Sequence, residues 1–553
     1  MTRSRRVAFV SIDPTWEDPS GEFVPFTYAV RKLEASLRSA PDLADVETRI
    51  IDLQTADPEA FLEEIRSFRP TLIAASLYLW SIGAFQELAR RVRAWDPSVR
   101  IVAGGPHARA SVFNLPNYRD LRALLDAAVT GEGEEILRDI VRTHLENGWT
   151  KLPGLTVPSP LGWRSTGPLE RPVLDAYPSP YHIDTAPPRT TGYIETFRGC
   201  PIHCSFCQWG EQRADRVHSA EYLAAHLEGL RRAEVPNVFF IDAAFNLSPR
   251  AFRALVEAEA QVKFLAQTTI HGHIYPTFLK DEHLELLTSA GKAQVSIGIQ
   301  SFSPSVLHRL GRPFDLERFE RVLAAMRGRI PIDLELMLGL PGDDPRAFHD
   351  TFERAVELAD TIRVFKTLVL PDALLDRADA SLAIDFDPET FLLRSCAGWR
   401  AEDIDREFEH VQRVALAHDR VTLGETWVGF GVRRDSPVQA PRREGIETML
   451  ERGVPAVPIE VIEQLRRAVA ASAEGWRLRT VRHHVTGLEF DLDAPSGRVL
   501  LEAFPLRPGA KWFAARDGVA YSYRGEVGPH HFDALQGVVD LVHGQSVSLI
   551  AGG

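Results

Sequence analysis

The chain carries four cysteines, and three of them are grouped in one short segment. The segment reads Thr196-Phe-Arg-Gly-Cys200-Pro-Ile-His-Cys204-Ser-Phe-Cys207-Gln-Trp-Gly210, so the cysteine spacing is C-x3-C-x2-C. Three thiolates can hold three irons of a [4Fe–4S] cubane and leave the fourth iron without a protein thiolate. Gly199 permits a tight backbone turn beside such a cluster, and Phe206 offers it an apolar wall. The spacing therefore predicts a redox-active cluster with one iron free to bind a further ligand.

A structural zinc site is the alternative for the same cysteines. Zinc prefers four closed ligands, and His203 is the side chain available as the fourth. His203 directly precedes Cys204 in the sequence, which makes it awkward for the two to occupy separate corners of one tetrahedron. We therefore favour the iron–sulfur interpretation over zinc.

Strands and helices alternate around the cysteine segment over residues 191–375. The candidate strands are short apolar runs, each followed by a helical pattern; they cover residues 192–197, 237–241, 263–269, 294–299, 330–338 and 361–368. Six βα units exceed a single crossover motif and fall short of a complete eight-fold barrel. The pattern predicts an open, partial (β/α)6 barrel with the cysteine segment after its first strand.

The regions on either side of this core differ in character. Residues 1–145 alternate between strands and helices, which predicts a doubly wound (Rossmann-like) α/β domain with a parallel sheet covered on both faces. Residues 146–190 are rich in proline and predict a linker without regular elements. Residues 376–553 predict a C-terminal α+β domain, with helical patterns over 376–415 and 445–475 and short strands over 476–526.

Composition excludes several classes of protein. The net charge is −13, and the sequence has no basic stripe of the kind that neutralises nucleic-acid phosphates. No apolar run approaches the roughly 18–20 residues of a membrane span. The apolar stretch 7–10 near the N-terminus is interrupted by Asp13 and is too short for a secretion signal. We expect a cytoplasmic protein with no nucleic-acid or membrane partner.

The cysteine segment resembles the signature of the radical S-adenosylmethionine (SAM) superfamily, in which an aromatic residue precedes the last cysteine. The resemblance extends over residues 191–375 and includes Val295-Ser-Ile-Gly-Ile-Gln-Ser301 and Leu336-Met-Leu-Gly-Leu-Pro-Gly-Asp343. It implies that Cys200, Cys204 and Cys207 hold a [4Fe–4S] cluster whose free iron binds SAM. Each residue implied to lie at the SAM site could instead be satisfied locally at its strand end. These residues are Phe206, Asp242, Gln300, Ser301, Gly339 and Leu340.

The N-terminal domain resembles the cobalamin-binding domain of the B12-dependent radical SAM enzymes. The resemblance rests on three segments that follow successive strands: Ser76-Leu-Tyr-Leu-Trp80, Ala103-Gly-Gly-Pro106 and Thr130-Gly-Glu-Gly-Glu134. Small residues there would let the backbone approach a large flat ligand or its nucleotide tail, although the glycines could serve only tight turns. The implied cobalamin contacts are Ser76, Tyr78, Leu79, Trp80, Gly104, Gly105, Gly131, Glu132 and Gly133.

One departure from that family concerns the lower face of cobalamin. Many B12 domains carry an Asp-x-His-x-x-Gly motif after the first strand, and its histidine ligates cobalt. Here the corresponding loop contains no histidine, and the first histidine of the chain is His107. We therefore expect cobalamin to bind without that ligand and its lower face to be covered by Tyr78, Leu79 or Trp80. A missing or weak axial ligand alters the redox behaviour of the metal.

Together the two resemblances imply a cobalamin-dependent radical SAM methyltransferase of the class B type. It would transfer methyl from SAM, via methylcobalamin, to a carbon of a small-molecule or peptide natural product. An external electron donor such as flavodoxin or ferredoxin would reduce the cluster, and residues 376–553 would cap the barrel and select the substrate. A B12-dependent ring contraction or cyclisation is one alternative, and a non-catalytic cobalamin or Fe–S binding protein is another. The sequence assigns no catalytic side chain.

Overall fold

We describe the fold from a computed structural model of the chain. The structure describes residues 5–12, 26–53, 57–146, 148–211, 216–418, 421–424, 426–432, 459–472, 475–484, 487–495, 497–505, 514–516, 519–524 and 532–551. The chain divides into two compact units, one formed by Met1–Pro14 with Glu22–Val438 and the other by Thr15–Gly21 with Gln439–Gly553. Among the described helices, none is both long and apolar enough to cross a membrane.

The N-terminal part of the first unit is built on a seven-stranded sheet. Its strands are β1 (Arg6–Ser11), β2 (Glu47–Ile51), β3 (Leu72–Ser76), β4 (Arg100–Gly104), β5 (Ala127–Val129), β6 (Leu155–Ser159) and β7 (Gly162–Ser165). The sheet order is β2-β1-β3-β4-β5-β6-β7, and the first five strands are parallel. The helices of this part are α1 (Tyr28–Arg38), α2 (Pro58–Phe68), α3 (Ile82–Trp95), α4 (Ala110–Phe113), α5 (Leu121–Leu124) and α6 (Glu134–Arg142).

Strand β1 shows why the sequence here reads as one continuous apolar run. Val7 and Phe9 pack into the hydrophobic core on one face of the sheet, and Ala8 and Val10 pack into the core on the other. A strand covered by helices on both sides has no solvent face and therefore no alternation. The predicted doubly wound fold is confirmed by this arrangement.

The proline-rich residues 146–190 contain strands that the sequence analysis did not predict. Strands β6 and β7 form an antiparallel hairpin on the free edge of β5. Pro158 lies within β6, in a row near the edge of the sheet, where a strand tolerates the missing N–H. The N-terminal sheet thus continues to Ser165, and the predicted linker is wrong for this stretch.

The second sheet of the same unit forms the partial barrel. The strands of this region are β8 (Gly192–Ile194), β9 (Phe197–Arg198), β10 (Arg216–Val217), β11 (Asn237–Phe240), β12 (Thr269–Ile274), β13 (Lys292–Gln300), β14 (Asp333–Leu338), β15 (Thr361–Lys366), β16 (Asp385–Phe386), β17 (Leu393–Ser395), β18 (Val421–Leu423) and β19 (Trp427–Gly431). The barrel order is β18-β19-β15-β14-β13-β12-β11-β8. Its six strands from β15 to β8 are parallel, as the sequence predicts.

Helices connect the barrel strands, as they must between parallel neighbours. They are α7 (Ala220–Arg232), α8 (Pro249–Val262), α9 (Asp281–Ser289), α10 (Pro304–Arg309), α11 (Leu316–Met326), α12 (Pro345–Leu358), α13 (Leu374–Arg377) and α14 (Ala401–Leu416). Three of the longer ones, α7, α8 and α12, begin at a side chain that caps the first turn: Ser219, Ser248 and Asp344.

The third barrel strand lies later in the chain than the predicted residues 263–269. Lys263 ends α8 in the left-handed conformation (φ 56°), and residues Leu265–Gln267 form a 3-10 turn. The observed strand β12 alternates, with Ile270 and Ile274 buried and His271 and His273 on the other face. Polar residues that face a barrel interior look like loop residues in the sequence, and this hid the strand.

The region after the sixth barrel strand was predicted as helical over 376–415, and this is only partly correct. The short pair β16–β17 occupies its middle, and α14 provides the main helix. Strands β18 and β19 then return to the barrel, where β19 pairs antiparallel with β15. The first compact unit therefore reaches Val438 rather than ending at residue 375.

The second unit has its own hydrophobic core. Its described residues form helix Ile459–Ser472, a five-stranded antiparallel sheet and helix Phe532–Ala551. The strands are β20 (Arg477–His484), β21 (Gly487–Ala494), β22 (Gly497–Pro505), β23 (Ala514–Arg516) and β24 (Val519–Arg524). Trp476, Phe490 and Tyr521 are among its buried residues. The predicted short strands over 476–526 are confirmed, and part of the predicted helix 445–475 lies outside the described residues.

Candidate active site

The cysteine segment lies at the carboxyl end of the first barrel strand. It follows β8 and β9, and Gly199 takes a left-handed conformation (φ 96°) directly before Cys200. Cys200 and Cys204 are buried, and Cys207 is partly buried. Burial raises the pKa of the Cys200 thiol to about 11. Metal binding must displace the protons of such thiols. The grouping of three sheltered cysteine thiols in one short segment is what fits a bound cluster.

Arg377 of α13 binds the backbone of the cysteine segment. Its guanidinium donates to the backbone carbonyls of Cys204, at 3.0 Å, and of Cys207, at 2.5 Å. Another nitrogen of the same guanidinium lies 3.1 Å from Nε2 of His203. A ring nitrogen that accepts a hydrogen bond from Arg377 is not available to a metal. In the described part of the chain, no three His, Cys, Asp or Glu side chains close around a single metal ion.

Arg312 places a positive charge beside the cysteine sulfurs. Its Nη1 lies 3.8 Å from Sγ of Cys204, and its Nη2 donates to the carbonyl of Gly298. The guanidinium carbon lies 4.7 Å from the ring centroid of Tyr275, which fixes the side chain in place. A cation at this distance stabilises negative charge on a thiolate or on a carboxylate bound next to it. Sequence reasoning missed Arg312, because it lies 108 residues from Cys204.

Asp242, one of the predicted SAM contacts, accepts hydrogen bonds from the first residues of the cysteine segment. Its Oδ1 accepts from the backbone N–H groups of Thr196, at 2.8 Å, and of Phe197, at 3.3 Å. Its Oδ2 accepts from the Thr196 hydroxyl at 2.7 Å. Burial raises the pKa of Asp242 to about 7, against the opposing effect of these hydrogen bonds. The geometry supports a role in shaping the segment; contact with SAM stays a prediction.

We expect Asp242→Asn to retain the cluster, because the amide oxygen can accept both backbone N–H groups while the NH2 donates to the Thr196 hydroxyl. The stability of the variant should also lack the pH dependence that the Asp242 carboxyl gives to the wild type. The folded pKa of Asp242 lies above the unfolded value of about 3.9, so ionisation favours the unfolded chain and wild-type stability falls as pH rises from about 4 to about 7. Urea unfolding of wild type and variant at pH 5 and pH 8 measures this difference.

The contrary result for Asp242 is equally informative. If Asp242→Asn keeps its fold and iron content but no longer binds SAM, the carboxylate charge itself contacts SAM, as the resemblance implies. Asp242→Leu, which removes all three accepted hydrogen bonds, serves as the disruptive comparison and should lose iron.

The remaining predicted SAM residues gather at the ends of the fourth and fifth barrel strands. Gln300 has a left-handed conformation (φ 71°) at an irregularity in the pairing of β13 with β14. The Ser301 hydroxyl is already paired, since it lies 3.3 Å from Asp343 and accepts from Ser303 N. Gly339 has a φ of 88°, and Leu340 is fully buried. Phe206, in the cysteine segment, is buried as well.

A charged network that the sequence analysis missed crosses the inner face of the barrel. His273 lies 3.4 Å from Glu335, and Arg363 lies 3.4 Å from Glu335 and 3.0 Å from Asp333. Ser296 donates to Asp333 at 2.9 Å. Burial opposes a charge on His273, but the neighbouring Glu335 carboxylate outweighs it and raises the pKa of His273. Burial raises the pKa of Asp333, while Arg363 acts in the opposite direction.

A cavity of about 330 Å³ opens beside this network. It is lined by Trp209, Phe239, Phe240, Ile241, Asp242, Ala243 and His273. The cavity therefore joins the end of the cysteine segment to the second and third barrel strands. Ligand sites at the carboxyl ends of parallel barrel strands are the rule for such folds.

The predicted cobalamin residues after β3 and β4 form one contiguous surface. Tyr78 and Trp80 stack face to face, with centroids 4.7 Å apart, and Trp80 is 47% exposed. The loop after β4 joins this loop, because Leu77 N donates to Gly104 O at 2.8 Å. A Cβ on Gly105, which has a φ of 92°, would crowd the backbone of Leu77. A stacked pair of half-buried Tyr78 and exposed Trp80 beside a small-residue turn fits a large flat ligand, and Ser76 is buried next to it.

The loop after β5 carries the last three predicted cobalamin residues. Gly131 has a φ of 102°, and a Cβ on Gly133 would press on Leu33. The Glu132 side chain, however, forms ion pairs with Arg198, at 2.8 Å, and with Arg216. Its carboxylate is therefore occupied by the barrel domain, which leaves the backbone of this loop as the part that can approach cobalamin.

Comparison with known proteins agrees with this geometry. Residues 194–355 match the radical SAM superfamily, and residues 27–141 match the B12 binding domain. The chain is 30% identical over 334 residues to 2-(S-pantetheinyl)-carbapenam-3-carboxylate methyltransferase of Streptantibioticus cattleyicolor, covering 55% of this chain and 48% of that protein. It is 29% identical over 336 residues to the cobalamin-dependent radical SAM methyltransferase TokK of Streptomyces tokunonensis, covering 56% and 48%.

A solved structure gives the same picture of the fold. The radical SAM methyltransferase TsrM from Kitasatospora setae, with tryptophan and a SAM analogue bound, superposes with a TM-score of 0.57. The identity is 17%, and the match covers 74% of this chain and 89% of that one. The chain spans about half the length of the two methyltransferases it matches in sequence.

The chain thus carries a radical SAM domain together with a B12-binding domain. In sequence it is similar to two methyltransferases, one of which is described as a cobalamin-dependent radical SAM methyltransferase. The radical SAM domain implies a [4Fe–4S] cluster and SAM, and the B12-binding domain implies cobalamin. The buried cysteine set and the glycine-bearing strand ends fit these groups.

Proposed function

We propose that this protein is a cobalamin-dependent radical SAM methyltransferase that transfers a methyl group from SAM, through cobalamin, to a carbon of a small-molecule or peptide natural product. The observation that carries the proposal is a direct contact between the two cofactor regions. Gln208, next to Cys207, lies 3.4 Å from the carbonyl of Pro106 in the loop after β4. A reaction that uses both cofactors needs their sites this close together.

The chain's own residues prepare the site. When bound, the cluster supplies the electron that cleaves SAM, and cobalamin supplies a carrier for the methyl group. Cys200, Cys204 and Cys207 hold the cluster, and Arg312 balances negative charge beside Cys204. Gln300, Ser301, Gly339 and Leu340 are assigned to SAM. The strand-end residues after β3 and β4, and the backbone of the loop after β5, are assigned to cobalamin. The apolar side of the cavity limits water near reactive species.

We assign the remaining parts by the same reasoning. An external electron donor such as flavodoxin or ferredoxin reduces the cluster in a cytoplasmic setting. The region beyond the barrel, up to residue 553, contributes to substrate selection. This leaves the cobalamin domain, whose sheet continues to Ser165, and the radical SAM core, whose sheet includes β19, as the catalytic parts.

Product analysis tests the proposal. Anaerobic protein with a reconstituted cluster is incubated with methyl-labelled SAM, cobalamin, titanium(III) citrate and a metabolite extract as the source of substrate. Because SAM serves once as radical source and once as methyl donor, 5′-deoxyadenosine and S-adenosylhomocysteine are expected in about equal amounts. The label should pass into a carbon-bound methyl group of the product.

Other outcomes favour other functions. Deoxyadenosine without S-adenosylhomocysteine would favour a ring contraction or cyclisation. S-adenosylhomocysteine without deoxyadenosine would favour polar methylation of a nucleophilic carbon. Neither product, despite an intact cluster and a range of extracts, would contradict the proposal and favour a cobalamin or Fe–S binding protein.

A further inference from the structure

A buried charge cluster joins the start of the cysteine segment to the loop after β5. Arg198, two residues before Cys200, donates to Glu132 at 2.8 Å, to Glu134 at 2.5 Å and to Glu195 at 2.7 Å. Glu132 belongs to the loop after β5 that also carries Gly131 and Gly133, and Glu134 is the first residue of the helix that follows, α6. The guanidinium fork of Arg198 is thus filled by carboxylates from both domains.

The same cluster is closed by two further cations. Lys32 of α1 lies 3.5 Å from Glu195, and Arg216 pairs with Glu132. Each of the three carboxylates thus lies within ion-pair distance of at least one cation, and Arg171 also lies 3.9 Å from Glu132. Glu134 has a side chain only 5% exposed, and a buried charge that loses its partner is strongly unfavourable. The fork therefore strongly favours a single relative placement of the two loops.

The other end of the cysteine segment is tied to the loop after β4. The Gln208 amide donates to Pro371 O at 3.0 Å and lies 3.4 Å from Pro106 O. Asp372, next to Pro371, forms an ion pair with Arg109, four residues beyond Gly105. The α13 region that holds the carbonyls of the cysteine segment therefore also binds the loop after β4.

We propose that Arg198 and Gln208 are positioning residues that hold the cluster at a fixed separation from cobalamin. Each residue lies at one end of the cysteine segment, and each is bound to a different loop of the cobalamin domain. The inference rests on the proposed function in that it takes both cofactors to be bound. It goes further because it assigns the relative placement of cluster and cobalamin to Arg198 and Gln208, neither of which needs to contact a cofactor.

The test measures the distance between the two paramagnetic centres. Protein holding reduced cluster and Co(II) cobalamin is examined by EPR for the spin–spin interaction between them. Wild type should give a single narrow distance. The double variant E132Q/E134Q, which removes two charged acceptors of Arg198 with little change of shape, should give a broad distribution while still binding about one cobalamin and a full cluster.

The matched control is E135Q. Glu135 is the next residue; its partners include Arg142, at 3.2 Å, and the Tyr177 hydroxyl, at 2.9 Å, neither of which belongs to the cysteine segment. The E135Q variant should retain the wild-type distance. R198K keeps the positive charge of Arg198 but not its forked guanidinium. It should also broaden the distance distribution, because one ammonium cannot replace bidentate donation to several carboxylates. Should the charge variants fail to fold, Q208M tests the other end with an uncharged side chain of similar length.

During turnover, a less well fixed distance between cluster and cobalamin should uncouple deoxyadenosine formation from methylation. We expect deoxyadenosine formed per methylated product to rise on the order of tenfold to a hundredfold in the double variant. An unchanged narrow distance in both E132Q/E134Q and Q208M would overturn the inference. So would loss of cobalamin itself, which would make these acids ligand contacts. Because the distance is measured without turnover, failure of the proposed function would appear separately, as absent methyl transfer in wild type.

Discussion

Simultaneous replacement of Cys200, Cys204 and Cys207 by Ala is expected to remove the iron–sulfur cluster completely. Wild-type protein reconstituted under anaerobic conditions should hold about four irons and four sulfides, and the triple variant essentially none. Without thiolates the segment has no ligand for iron, so SAM cleavage should fall to background. Iron and sulfide analysis, the visible spectrum and deoxyadenosine formation measure the three effects.

Cys396 supplies the matched control for this experiment. It is a buried thiol whose Sγ lies 3.8 Å from the carbonyl of Gly339, outside the cysteine segment. Cys396→Ala should therefore leave the iron content at the wild-type value. Retention of iron and SAM cleavage by the triple variant would refute the assignment of the cluster.

The second large effect is expected at Gly398, where the main chain passes directly over the loop that follows β14. Gly398 has a φ of 95°, and a Cβ there would overlap the carbonyl oxygen of Asp343. For Gly398→Ala, the left-handed conformation costs about 1–2 kcal/mol, and the clash adds about 1–3 kcal/mol or more. We expect lower resistance to urea and weaker SAM binding, because the displaced loop carries Gly339 and Leu340.

Substitution of Gly328 separates the cost of the left-handed conformation from the cost of the clash with Asp343. This residue has a φ of 76°, but nothing lies within 4 Å of the position a Cβ would take. Gly328→Ala should therefore show the conformational cost alone and leave SAM binding unchanged. Equal losses of stability in the two variants would show that the contact with Asp343 is unimportant.

The sequence was sufficient to predict both parallel sheets and to place the B12-binding region before the radical SAM region, while the role of the three cysteines stays a prediction. These features depend on local patterns: one compact motif, continuous apolar strands and the glycines that follow them. The third barrel strand was misplaced for a related reason. His271 and His273 point to the polar inside of the barrel, so β12 lacks the apolar signature on which the prediction relied.

Contacts between distant parts of the chain could not be predicted. Glu132 was assigned to cobalamin because of the glycines on either side, and its ion pair with Arg198 spans 66 residues. Arg312 and Glu335 gave no signal for similar reasons, since charged residues are common and only folding shows which of them converge. Nor did the prolines of 146–190 reveal the hairpin on the edge of β5, since proline mainly signals a break in structure.

Strand β19 has a consequence for aggregation. It pairs with β15 from Thr361 to Phe365 and is part of the region assigned from sequence to a separate C-terminal domain. A protein shortened at residue 375 would expose the backbone N–H and C=O groups along that edge of β15, which includes the buried residues Ile362 and Val364. Unprotected edges of this kind recruit strands from other molecules. Such a shortened core would therefore be prone to self-association, whereas one ending at Val438 retains its own edge protection.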